Sequence, residues 1–95
     1  MIVRTTDIYD KWFRKLRDEN GKAAIVRRIR RIEQDDFFGD HKTFGGIGEL
    51  RVDIGSGYRV YYARRGEIMV ILLCGSDKDE QQKNIDMAKG IEKEV

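Results

Sequence analysis

A chain of 95 residues with one cysteine and a net charge of +2 suffices for a single domain, 1–95, and excludes a second. Its longest apolar run, IMVILLC at 68–74, is far too short to span a membrane, and MIVRTTDIYDKWF lacks the apolar stretch of a signal peptide. The charge is uneven, with ten Lys/Arg against four Asp/Glu in residues 1–31 and nine against thirteen in 32–95, a basic first third that suits an acidic partner.

Residues 1–5 are partly β-branched and predict a short edge strand. Thr6 is placed to cap a helix over about 7–17, with Ile8, Tyr9, Trp12, Phe13 and Leu16 on one side. Asp10, Lys11, Arg14 and Arg17 fill its other side. Asn20-Gly21 predicts a break, and a second helix over about 22–34 completes a helical hairpin. Ile25, Val26, Ile29 and Ile32 form the apolar side of that helix. Arg27, Arg28, Arg30 and Arg31 crowd the opposite side with no acid among them. Arg27 and Arg31 repel at i,i+4 by about 0.2–0.5 kcal/mol, so the face suits phosphate or an acidic protein better than plain solvent.

Residues 35–48 predict a loop containing DHKTFGGIG. A strand rather than a helix follows its glycines, which makes a phosphate cradle a weak reading. The loop holds the one histidine, His41, a surface residue or an acid–base group. Strands follow at about 48–54, 58–64 and 67–74, joined by Gly55-Ser56-Gly57 and Arg65-Gly66 into an antiparallel meander. Leu50, Val52 and Ile54 alternate with Glu49, Arg51 and Asp53; Tyr58, Val60 and Tyr62 point away from Arg59. Glu49, Arg51 and Arg59 therefore share one surface, either a site or a cross-strand ladder of ion pairs. Cys74, inside the apolar run, is expected to be a buried thiol, and a reducing cytoplasm fits it. The final helix is predicted to start with Ser76 and Asp79, or Asp77 and Glu80, as a capping pair. Ile85, Ala88 and Ile91 give it a packing side, and Gly90 a fraying end. Neither a metal nor a cofactor is expected.

The order β-α-α-β-β-β-α, an α+β fold, together with ELRVD-x4-YRVYY and LLCGSDK-x4-KNI, resembles the RelE/ParE toxin superfamily. Within it the chain looks most like the HigB-like, phage-related addiction module killer protein branch. The resemblance implies an antiparallel meander packed with a helical hairpin and a C-terminal helix. It implies a small cytoplasmic toxin neutralised by a cognate antitoxin, expected to be a small helix-turn-helix protein. RelE-like members are endoribonucleases that cleave mRNA on translating ribosomes; ParE-like members poison DNA gyrase. A degenerate member would keep only antitoxin binding. By the same resemblance Arg59 matches the strand arginine that supports the scissile phosphate, and Arg51 lies on the strand that carries catalytic lysines in RelE. Lys78 lies near another basic position, while Lys83 and Asn84 occupy the region of a catalytic tyrosine. Either Glu49 or His41 replaces the missing base, or the protein is a different kind of poison. Arg27, Arg28, Arg30, Arg31 and Lys83 are the residues expected to meet RNA or the ribosome.

Overall fold

The apolar segments of the second half pair into a five-stranded sheet in the computed structural model, which describes residues 1–77 and 81–95. The strands are β1 (Ile2–Thr5), β2 (His41–Phe44), β3 (Ile47–Val52), β4 (Tyr58–Arg65) and β5 (Met69–Asp77), in the order β1-β5-β4-β3-β2. β1 runs parallel to β5, and the other neighbours are antiparallel. The helices are α1 (Asp7–Lys15), α2 (Glu19–Asp35) and α3 (Gln81–Glu92).

Both faces of the sheet are covered, which is why its central strands are apolar on both sides. Leu50, Val52, Tyr58, Val60 and Tyr62 pack with Tyr9 of α1 and Ile25 and Ile32 of α2. On the other face Ile47, Tyr61, Ala63, Leu73 and Cys74 meet Ile85 and Ala88 of α3. A bulge follows the Tyr61–Cys74 pair, since Tyr62 pairs with Leu72 and leaves Leu73 as the extra residue. Leu73 and Cys74 consequently both join the α3 side. Truncating a fully buried side chain such as Ile25, Ile32 or Leu50 should cost about 2–5 kcal/mol.

Local chemistry sets the helix ends. The Thr6 hydroxyl accepts from the Tyr9 N–H (3.0 Å) and donates to the Leu73 carbonyl (2.6 Å), capping α1 and tying it to β5. α1 stops at Lys15, short of residue 17, because Leu16 is already extended. Asn20-Gly21 is not a break. Asp18 caps α2 by accepting from the Gly21 N–H (2.9 Å), and its other oxygen accepts from the Tyr58 hydroxyl (2.9 Å). Asn20 and Gly21 therefore lie in the first turn of the helix.

The expected loop at 35–48 contains a strand. β2 pairs with β3 around a Gly45-Gly46 turn, so the sheet gains an edge and the order becomes β-α-α-β-β-β-β-α. β5 also runs on through Ser76 and Asp77, which are strand residues and not the start of a helix cap. Asp79 and Glu80, their expected capping partners, lie outside the described residues.

Candidate functional site

The register of β3 and β4 sets Arg51 opposite Arg59 and Glu49 opposite Tyr61, all on the face that α3 covers in part. Glu49 is the centre of the cluster and has no solvent exposure. Its carboxylate accepts from Arg51 Nε at 3.0 Å and Gln81 Nε2 at 3.0 Å, with Arg59 Nη1 at 3.5 Å. Burial alone pushes the Glu49 carboxyl up. Hydrogen bonds from Gln81 and Arg51, with the charge of Arg59, outweigh that and hold it below the usual carboxylate range. The cluster thus contains two guanidiniums and one ionised carboxylate, a net positive charge.

The two arginines are held without being enclosed. Arg51 keeps 31% side-chain exposure and Arg59 16%, with Arg59 Nε itself buried, so Arg51 is the more open of the two to an outside anion. The bond to Glu49 raises Arg51 further above its ordinary range, so it is always charged. Arg59 pairs in register with Ser76. Arg59 Nε, the Tyr61 hydroxyl and the Ser76 hydroxyl are buried with no aligned hydrogen-bond partner among the described residues. The Tyr61 hydroxyl nonetheless lies close to Glu49 and Ser76, and burial raises its pKa, keeping it protonated. The arrangement can grip a phosphate with planar donor forks and stabilise negative charge that grows on it.

Sequence reasoning missed Gln81, Tyr61 and Lys42. Gln81 lies 32 residues from Glu49 in the chain, and no local pattern announces the contact. Tyr61 was hidden by the alternation of β4, where it follows Val60 as one more apolar position. Lys42 is directly opposite Glu49 on edge strand β2, its ammonium 5.5 Å from the Phe44 ring centre. Only recognition of β2 as a strand would have found it.

Other candidates are placed elsewhere. His41 pairs with Leu50 and packs 5.8 Å from Phe38, so it lies on the α2 face, opposite Glu49. It does not belong to the arginine cluster. Glu49, the other residue offered as the replacement base, is buried. Lys78 lies outside the described residues. Lys83 is exposed, about 200° around α3 from the inward-facing Ile85, and so turns away from the cluster.

The basic side of α2 is less uniform than its sequence. Arg28 turns inward, donating to the carbonyls of Arg51, Phe38 (2.8 Å) and Asp40 (2.7 Å). Burial lowers its pKa somewhat below the ordinary arginine range. Arg31 has an acid partner after all, Asp35 at 3.0 Å, and lies over the Phe37 ring. Arg27 and Arg30 are not enclosed in this way and border solvent. Among the described residues no helix is long and apolar enough to cross a membrane.

Residues 11–93 match the family described as Phage derived protein Gp49-like (DUF891). A Haemophilus influenzae protein, described as uncharacterized, is 45% identical over 94 residues, covering 98% of this chain and 94% of its own. Among solved structures, a chain of the intact E. coli RelBE toxin-antitoxin complex superposes with a TM-score of 0.68 at 15% identity, covering 83% of this chain and 98% of that one. The isolated E. coli RelE toxin gives 0.63 at 14% identity, over 95% and 97%. At such identities the likeness is one of fold. The chain belongs to the phage-derived Gp49-like family and has the α+β fold of RelE.

Proposed function

We propose that the protein is the toxin of a type II toxin–antitoxin module, in the HigB-like branch, and cleaves mRNA on translating ribosomes in the cytoplasm. The observation that carries this reading is the Arg51–Glu49–Arg59 cluster, two arginine side chains that each keep some exposure around a buried, ionised carboxylate on the RelE fold. In the reaction the 2′-hydroxyl of the substrate gives its proton to solvent water and attacks the adjacent phosphorus. The bond to the 5′-oxygen breaks, that oxygen takes a proton from solvent water, and a 2′,3′-cyclic phosphate remains. Arg59 and Arg51 donate to the non-bridging oxygens as charge grows on the phosphorane. Glu49 acts as their counter-anion and positions them. A carboxylate without exposure and held below its usual range is a poor proton acceptor. The ribosome supplies alignment of the scissile bond, which reduces what the toxin's own side chains must provide. A cognate antitoxin, a small helix-turn-helix protein, neutralises the toxin by direct binding.

Glu49 is buried and His41 lies on the opposite face, and this favours one second reading, a ParE-like poison that binds DNA gyrase without cleaving RNA. One experiment separates the two. Purified protein is added to ribosomes programmed with mRNA, new 5′ ends are mapped, and gyrase-dependent DNA breakage is assayed alongside. New 5′ ends with wild type, appearing far more slowly with Arg59→Ala, are expected. Breakage of DNA without any cut in RNA would move the protein to the gyrase class.

A further inference from the structure

The arginine cluster makes no use of His41 or of the glycine-rich turn after it. These border a cleft of about 190 Å³ on the α2 face of the sheet. Phe38 and Tyr62 wall it, their ring centres 5.2 Å apart. Gly48 forms its floor because Tyr62 leaves no space for a side chain there: a Cβ would lie 2.1 Å from a ring carbon. His41, Thr43 and Arg64 form an exposed polar rim. The Arg64 guanidinium lies 5.1 Å from the Phe38 ring centre, so cation and ring meet at the mouth. His41 Nδ1 is 2.8 Å from the Gly39 carbonyl. A carbonyl can only accept, so Nδ1 carries a proton and the neutral ring keeps Nε2 as an acceptor. Among the described residues, no aspartate or glutamate lines the cleft.

The volume is small against the roughly 300–1,000 Å³ of sites for drug-sized ligands, and matches a single planar ring system. Aromatic walls, hydrogen-bonding groups of both kinds and a cation without an opposing acid suit a nucleobase with its phosphate. An acidic side chain would use Arg64 and His41 but leave the aromatic walls without a role. We propose that this cleft takes one unpaired base of single-stranded RNA, with the adjoining phosphate on Arg64; the inference rests on the reading that RNA is the substrate. β2 is the edge of the sheet, with Thr43 and His41 facing the cleft and Lys42 facing the arginine cluster. An RNA strand that rounds this edge meets both surfaces.

The test uses the whole chain and a fluorescent 2′-O-methyl RNA hexamer, which cannot be cut, beside the same hexamer without bases. Binding is followed by anisotropy, with poly-glutamate as competitor and melting curves to establish that each variant folds. Wild type should prefer the hexamer with bases by about tenfold, the order expected for a stacked base. Thr43→Phe, which fills the cleft from its exposed rim, should erase that preference. Arg64→Gln should weaken binding of both oligomers, and His41→Ala should reduce the preference. Equal wild-type affinity for the two oligomers, or a preference that survives Thr43→Phe, overturns the proposal. So does displacement of RNA by poly-glutamate that is abolished in Arg64→Gln, which would make this a site for an acidic peptide. Ribosomal mRNA cleavage without base-dependent binding removes the cleft assignment alone; absence of both removes the RNA reading too.

Discussion

Arg59 is the side chain on which the proposed chemistry turns. A guanidinium presents a planar fork of donors to phosphate oxygens, so its loss removes stabilisation that grows toward the transition state. Arg59→Ala should slow ribosomal mRNA cleavage by about 10²–10³-fold, and Arg59→Lys should recover little, because a point charge cannot reproduce the fork. Cleavage rates at saturating ribosomes check this; a full recovery by lysine would reduce Arg59 to a source of charge. Glu49 gives a different signature. Glu49→Gln leaves two guanidiniums around a neutral amide and should destabilise the fold by about 1–3 kcal/mol while also slowing cleavage. The Glu49 carboxyl is held below its ordinary range in the folded state. Its stabilisation is therefore fully present above the unfolded value of about 4.5 and is lost as pH falls through the lower folded value. The gap in melting temperature between wild type and Glu49→Gln should thus be widest near neutrality and close in acid. Asp18, lowered mainly by the Gly21 N–H and then by Tyr58, titrates in the same sense but is common to both proteins and cancels. Loss of the acidic limb of the pH–rate profile in Glu49→Gln, with the fold intact, would instead identify Glu49 as a catalytic base. Strand alternation made the shared face of Glu49, Arg51 and Arg59 legible. The burial of Glu49 was not legible, because it depends on Gln81 and Tyr61 arriving from other elements.

The elements are held by interactions that the sequence announces unequally. α1 is tied to β5 twice, by the Thr6 hydroxyl and by the Trp12 ring against Gly75. A Cβ on Gly75 would lie 2.3 Å from the Trp12 ring, so Gly75→Ala should push the helix off the strand and cost about 1–3 kcal/mol. Trp12→Leu leaves a space on its own, but in the same chain as Gly75→Ala it should relieve the clash. The double variant is then less destabilised than the two single changes added together, as urea unfolding would measure. Strict additivity would show that this packing is not the source of the cost. Trp12 was legible as a packing residue from its helical spacing, and its partner glycine was not. The same asymmetry runs through the chain. β3 and β4 follow from period-two alternation, whereas β2 is written HKTF, its first three residues exposed, and exists because β3 offers it a partner. Asn20-Gly21 reads locally as a break. Asp18 overrides it, fixed by a tyrosine 40 residues away.

At the scale of the molecule the sheet separates two basic surfaces, one from the basic first third on α2 and one from Arg51 and Arg59 in the net-acidic remainder. α2 packs on the face of Leu50, Val60 and Tyr62, while Arg51 and Arg59 lie on the other face with Glu49. No single phosphate can be gripped by both, so on the proposed function the helix face is free to meet a second partner surface. We assign that role to the ribosome and limit it to Arg27, Arg30 and Arg31, because Arg28 is committed to the carbonyls of Arg51, Phe38 and Asp40. Replacing the three outward-facing arginines with glutamine should leave stability nearly unchanged, since exposed charges contribute little and Arg31 gives up a single surface pair. Each phosphate that is no longer gripped should reduce the slope of log affinity against log salt by about 0.7–0.9, and the triple variant by up to about three times that. Arg28→Gln should do the opposite. It leaves the part-buried carbonyls of Arg51 and Phe38 without the guanidinium and should cost about 1–3 kcal/mol, while the salt slope hardly moves. Ribosome binding at several salt concentrations, with melting curves for all variants, separates the two kinds of arginine. An unchanged slope in the triple variant, together with failure to retain the antitoxin in a pull-down with the protein of the adjacent gene, would give the helix face to the antitoxin. The arginine cluster on the opposite face would then be the toxin's basic surface for the ribosome, and Arg51→Gln should carry the change in slope that the helix variant lacks.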